Sequence, residues 1–183
     1  MQKSIDRCTW CGDDPLYVRY HDEEWGEECR DRKTLFESLC LEGQQAGLSW
    51  ITVLRKREGY REAFHAFDIE RVASMDSEDV ERLVLDTGII RHRGKITAII
   101  GNAQALLAME KGGESFVDFV WSFAPSTSGD GIDVPSQTPE STALSKALKK
   151  KGFRFVGPTT VYAFMQAVGM VDDHAPSCFK RRQ

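Results

Sequence analysis

Residues 41–50, LEGQQAGLSW, place a carboxylate (Glu42), two glutamines, two glycines and a tryptophan (Trp50) inside a run whose other residues suit an amphipathic helix. On a helix turning about 100° per residue with Glu42 at the origin, Ala46 falls at about 40° and Trp50 at about 80°. The spacing therefore predicts a notch, with an acid on one side, an indole on the other and a methyl group between. Gly43 and Gly47 each cost about 1 kcal/mol of helix propensity against alanine, which predicts a close approach to the backbone or a bend. Trp10, Tyr17, Tyr20 and Trp25 lie upstream and add aromatic faces. Singly, these residues read as core aromatics and a solvated glutamate. Together they describe an aromatic pocket with one acid, suited to a flat, cationic heterocycle held by stacking, cation–π attraction and a charge-assisted hydrogen bond.

Metal chemistry is the second possibility, at the chain ends. Cys8 and His21 stand as Cys-x12-His near the start, and His174 and Cys178 as His-x3-Cys near the end, in a chain with only four histidines. Two thiolates and two imidazoles are the ligand set of a closed, tetrahedral structural zinc site, which here would tie the termini together. Cys11 leaves a rival set open, namely Cys8, Cys11, His174 and Cys178. The Cys8-Thr-Trp-Cys11 pair also admits a thiol redox role, but Gly12, two aspartates and Pro15 follow it where a thioredoxin-like helix would be needed.

The third feature is LSKALKKKGFRFVGPTTVYAFMQAVGMVDDH (144–174). It reads as a basic helix, a glycine-bounded turn and a second helix opened by Pro158. Such a turn presents unpaired backbone N–H groups at the positive end of a helix dipole, which binds phosphate without reading sequence. An ordinary pair of core helices is the plainer reading. Basic runs at 91–95 (RHRGK), 146–154 (KALKKKGFR) and 180–182 (KRR) would let a chain of net charge −4 dock on a phosphate backbone if they share a face; otherwise they are solvated helix faces.

These groups need a frame. At 183 residues and 41% hydrophobic content the chain can bury a core, and five cysteines, an odd number, point to thiols or a metal site and not to disulfide staples. Apolar runs are too short for a membrane span and MQKSIDRCTW lacks a secretory hydrophobic stretch, so a cytoplasmic, membrane-free protein is expected. Strand signals are weak. Helical spacing predicts an all-α fold with helices over 31–42, 48–58, 60–66, 68–75, 77–86, 92–111, 113–122, 141–151 and 158–169, started at Asp31, Asp68 and Ser77 and stopped near Gly88, Gly112 and Gly152. APSTSGDGIDVPSQTPEST (124–142) interrupts this as a surface loop.

The segments DPLYVRYHDEEWG (14–26), LEGQQAGLSWITVLRKRE (41–58), GIIRHRGKI (88–96), FVDFVWSF (116–123) and LSKALKKKGFRFVG (144–157), with the terminal His/Cys pair, resemble the 3-methyladenine DNA glycosylase I family of the helix-hairpin-helix superfamily. The resemblance implies a monofunctional glycosylase that removes 3-methyladenine from alkylated double-stranded DNA, releases the free base and leaves an abasic site. It implies that Glu42 recognises the flipped base, Trp50 stacks on it, and Trp10, Tyr17 and Tyr20 close the pocket. It also implies one structural zinc on Cys8, His21, His174 and Cys178, no organic cofactor, and a hairpin at 152–160 that holds a DNA phosphate through Gly152, Gly157, Thr159 and Thr160. Asp172 occupies the place of the superfamily's catalytic aspartate, an acid this family is described as lacking; it either assists the sugar cation or orients structure beside His174. The expected organisation is a single, monomeric unit over 1–183: a helical core (27–123 with 141–170), zinc-linked termini (1–26 with 171–183) and a loop (124–140). A non-catalytic damage-sensing or nucleic-acid-binding zinc module is the alternative function.

Overall fold

The computed structural model describes residues 5–182, and every regular element among them is helical. Ten α-helices follow in order: α1 (Pro15–Glu23), α2 (Arg32–Gln44), α3 (Trp50–Arg55), α4 (Arg57–Ala63), α5 (Ile69–Ala73), α6 (Ser77–Leu83), α7 (Arg93–Lys111), α8 (Phe116–Trp121), α9 (Pro139–Lys150) and α10 (Pro158–Ala167). Short 3-10 turns occupy Thr9–Cys11 and His65–Phe67. Side-chain oxygens at the expected places start several helices: Asp31 accepts from Thr34 N at 2.8 Å and Asp68 from Arg71 N at 2.9 Å, each satisfying an amide that has no intrahelical partner. At α6 the cap is Asp76, one residue before the expected Ser77, in a reciprocal capping box with Asp79. Helix α1 has no counterpart in the periodicity reading. Its start is nonetheless encoded, by Asp14, which accepts from Leu16 N and Tyr17 N, and by Pro15 at the first position.

The helical wheel drawn through 41–50 is corrected by the structure. Helix α2 ends at Gln44, Gly47 sits at a φ of +78°, and Trp50 opens α3. A left-handed residue breaks the helical period, and glycine takes that conformation without a Cβ clash. Gly88 is likewise not a helix stop, since α6 already ends at Leu83. A Cβ on Gly59 of α4 would collide with the Gly88 carbonyl, so this pair marks a close approach of two backbones.

Helix α7 is the central rod, packed against α2, α5, α6 and α8, while α10 packs against α9 and α2. The fully buried Leu35, Phe36, Tyr60, Phe64, Phe67, Phe116 and Phe164 fill the space between them. The two ends of the described chain meet: Phe179 N donates to Asp6 O at 3.0 Å, and Ala175 N donates to Cys8 Sγ at 3.2 Å. Among the described residues no helix is long and apolar enough to cross a membrane.

The basic runs do not form one phosphate-facing comb. In RHRGK, Arg93 pairs with Glu81 at 2.5 Å, His92 caps α7 and Lys95 is buried. In KRR, Lys180 pairs with Glu27, Arg181 donates to the Asp172, His174 and Gly129 carbonyls, and Arg182 donates to Gly26 O. Lys146, Lys149, Lys150 and Arg154, beside the α9–α10 turn, remain exposed.

Candidate active site

A cavity of about 270 Å³ opens between α1, the end of α2, the start of α3 and α10. Trp10, Tyr17, Tyr20, Glu42 and Trp50, all singled out from sequence, line it together. Trp10 packs on Tyr17 (centroids 5.1 Å) and on Trp25 (4.9 Å), and Tyr20 lies 5.4 Å from Trp50. Glu42 is 5% exposed, and among the described residues no donor reaches its carboxyl group. Burial alone pushes that carboxyl up to about 8, because the anion loses its hydration with nothing to replace it. Burial, with the field of Glu42 added, also raises the Tyr20 phenol. The Trp50 Nε1 proton is buried without an acceptor. An unpaired buried polar group costs on the order of 1–3 kcal/mol, so a cavity lined by an acid that no protein donor reaches suits a polar ligand that supplies one.

Gln45, Trp25, Val134, Ala163, Gln166 and Asp173 complete the lining. Trp25 was visible as an aromatic neighbour, but Gln166 and Asp173 needed the fold. Asp173, next to the residue that sequence drew attention to, is the one that faces the cavity; its Oδ2 accepts from Tyr162 Oη and from Gln166 Nε2 at 3.0 Å. Asp172 turns the other way. Its Oδ1 accepts from His174 N (3.2 Å) and pairs with His174 Nδ1 (2.7 Å), and its Oδ2 accepts from Arg182 N (2.7 Å). Burial pushes the Asp172 carboxyl up, but these bonds outweigh it and hold it below its ordinary value.

At the termini, the donor atoms of Cys8, His21 and Cys178 lie within 4.8 Å of one another, all buried. Cys178 Sγ is 3.4 Å from His21 Nε2. The His21 ring is held from behind by Asp22 Oδ1 at 2.8 Å from Nδ1, and Asp22 is itself gripped by Arg7 at 2.7 Å. His174, the fourth expected ligand, is not within that group of three. Its ring meets His21 edge-on at 5.4 Å, and with Nδ1 engaged by Asp172 its Nε2 is buried without a partner. Cys11 donates its thiol to Cys8 O at 3.1 Å. All five cysteines are free thiols.

At the hairpin, Gly152 is exposed at a φ of +98° and Gly157 precedes α10 without a side-chain cap. Val161 N donates to Gly157 O at 2.9 Å, so the Thr159 and Thr160 amides precede the first helical bond. Thr159 and Thr160 face the turn that follows Glu42 across a second cavity, lined also by Gln45, Ala46 and Gly47.

With that geometry in view, the profile of the methyladenine glycosylase family matches residues 10–181. The chain belongs to this family. It is 62% identical over 179 residues to DNA-3-methyladenine glycosylase 1 of Escherichia coli (strain K12), which covers 95% of this chain and 96% of that protein. A crystal structure of 3-methyladenine DNA glycosylase I superposes with a TM-score of 0.93 at 61% identity, over 97% of this chain and 100% of the other. A variant of 3-methyladenine DNA glycosylase I solved in complex with 3-methyladenine is 40% identical, with a TM-score of 0.91 over 98% and 99% of the two chains. The all-helical architecture of this chain is therefore that of its family.

Proposed function

We propose that the protein is a DNA base-excision repair glycosylase that hydrolyses the N-glycosidic bond of 3-methyladenine in alkylated double-stranded DNA. The observation that carries this reading is the Glu42 carboxyl, buried and unpartnered in a cavity walled by aromatic rings. A methyl group on N3 makes adenine a cation while it is still attached to the sugar. Entry of that flat cation between Trp50, Tyr17 and Trp10 favours ionisation of Glu42, whose carboxylate then accepts a hydrogen bond from the exocyclic amine. When the C1′–N9 bond breaks, its electron pair goes to N9, the base departs neutral, and water captures the sugar cation. Positive charge leaves the base along this path, so an anion beside the base favours the bound state over the transition state. Glu42 thus works in selection of the cationic lesion, and the lability of the alkylated bond supplies much of the rate. Leu48, exposed at the tip of the turn, offers an apolar side chain to the gap a flipped base leaves.

The α9–α10 pair is proposed as the helix-hairpin-helix element, with Gly152, Gly157, Thr159 and Thr160 presenting backbone amides and hydroxyls to one DNA phosphate, and Lys149, Lys150 and Arg154 adding charge. Cys8, His21, Cys178 and His174 would hold one zinc ion. The orphaned His174 Nε2 supports the fourth ligand, and the Asp172–His174 and Asp22–His21 bonds are the outer partners that fix imidazole orientation at metal sites. Bound there, zinc supplies a structural tie and no chemistry. Asp172 then serves to orient His174. A monomer acting in the cytoplasm as one unit completes the reading, with the expected surface loop of 124–140 shortened to 124–138 by the start of α9 at Pro139.

The test is release of free 3-methyladenine from methylated duplex DNA. Base release with the strand left intact is expected; tight binding of methylated DNA without base release would instead establish a non-catalytic damage sensor.

A further inference from the structure

The lysine of GIIRHRGKI is 5% exposed, and among the described residues no carboxylate pairs with it. Its Nζ donates to two main-chain carbonyls at the end of the Glu42 helix, Gln44 O at 2.9 Å and Ala46 O at 2.6 Å. The Gln44 side chain returns the contact, with Nε2 donating to Lys95 O at 3.2 Å and Oε1 accepting from Tyr60 Oη at 3.0 Å. Seven residues further along α7, hence on the same face and about 10 Å away along the axis, Asn102 is 3% exposed. Its carboxamide grips the hairpin backbone in both senses: Arg154 N donates to Oδ1 at 2.8 Å and Nδ2 donates to Arg154 O at 3.2 Å. The next residue, Phe155, holds a left-handed φ of +55°, and a Cβ on Gly43 would come within 2.9 Å of its carbonyl oxygen. The recognition turn and the hairpin turn therefore touch, and one buried polar side chain of α7 fastens each.

We infer that Lys95 and Asn102 are a pair of positioning residues that lock the base-recognition turn (44–47) and the phosphate hairpin (152–157) to one rigid rod, so that base and backbone are engaged at a fixed separation. The inference rests on the reading of the Glu42 cavity as the base site and of the hairpin as the phosphate site. A buried ammonium without a counter-anion is a poor choice for stability alone, because desolvation is expensive and an apolar residue of similar volume packs at less cost. Two carbonyl acceptors at the C-terminus of α2, one in its last turn and one just beyond, explain why it is there: they are the unpaired groups of a helix end, and a cation satisfies both.

The experiment compares wild type with Lys95→Met, Asn102→Ala and Glu42→Gln at equal folded fraction, checked by thermal melting. It measures affinity for free 3-methyladenine, and kcat and KM for base release from methylated duplex. Lys95→Met is expected to weaken free-base binding and lower kcat by about tenfold, whereas Asn102→Ala leaves free-base affinity within about twofold and raises KM on duplex by about tenfold. Lys95→Gln, whose carboxamide keeps N–H donors without the charge, is expected to regain part of the affinity and carries the test should Lys95→Met fail to fold. Free-base affinity and kcat within about twofold of wild type in the Lys95 variants, or the same loss in every parameter for Lys95 and Asn102 variants alike, overturn the inference. Unchanged affinity in Glu42→Gln would instead overturn the base-site reading beneath it.

Discussion

Glu42 concentrates the conflict between stability and function in one side chain. Its carboxyl is pushed up to about 8 in the folded protein by burial, against an ordinary value of 4.5. Between those values the unfolded chain has lost the proton and the folded chain keeps it, so folding stability contributed by this group is greatest below pH 4.5 and is lost as pH rises toward 8. Glutamine has no such dependence. Glu42→Gln should therefore gain stability over wild type as pH goes from 5 to 8, by roughly 3 to 4 kcal/mol across that range, read as a widening difference in melting temperature. Equal pH slopes for the two proteins would show that the acid is solvated and paired in solution. The neighbouring carboxylates divide in a way that residue type alone did not reveal. Asp172 and Asp173 are adjacent and both buried, yet one is spent on His174 and Arg182 and the other faces the aromatic cavity.

The elements that matter most are the turn after α2 and the turn before α10, and their contact leaves no room at Gly43. A Cβ there would stand 2.9 Å from Phe155 O and 3.2 Å from Phe155 Cβ. Gly43→Ala would favour the helix by its propensity but force the hairpin outward, a net loss of about 1–3 kcal/mol by overpacking. Base release from duplex should fall further than free-base affinity does; a variant as stable and as active as wild type would contradict the close contact. Much of this scaffold was legible in the sequence. Asp31 and Asp68 stood where caps were needed, the apolar period marked α7 and α10, and Glu42 and Trp50 belong to one cavity as the notch predicted. The route was different, however, because the helix breaks at Gly47 and Trp50 returns on a new one. Periodicity does not register a left-handed glycine that changes the chain's direction, nor a nine-residue helix such as α1, of which only Tyr20 and His21 are buried. The basic runs, open between a shared phosphate-facing surface and solvated helix faces, stayed undecided for a related reason: charge counts do not say that Lys95 is buried beneath a helix end or that Arg181 holds backbone carbonyls.

At the scale of the molecule, the ends of the chain close the cavity from one side. Trp25 packs against His174 with centroids 4.6 Å apart, so the proposed metal group and the aromatic wall share a boundary. Burial pushes the Cys8 thiol up to about 11, which a bound cation would reverse. Metal analysis should find one zinc per chain, kept in Cys11→Ala and lost in Cys178→Ala and His174→Ala, with a lower melting temperature on chelation. Protein free of metal, or zinc that depends on Cys11, would contradict the ligand set. The account as a whole turns on whether the buried acid selects a cationic base for excision. Its most direct test is kcat/KM for release of 3-methyladenine, measured on methylated duplex well below saturation, for wild type and Glu42→Gln, both shown to be folded. The account predicts release by wild type and a loss of about a hundredfold or more in kcat/KM for the variant, carried mainly by KM, as for removal of a key charged contact; equal kcat/KM values for the two proteins would contradict it.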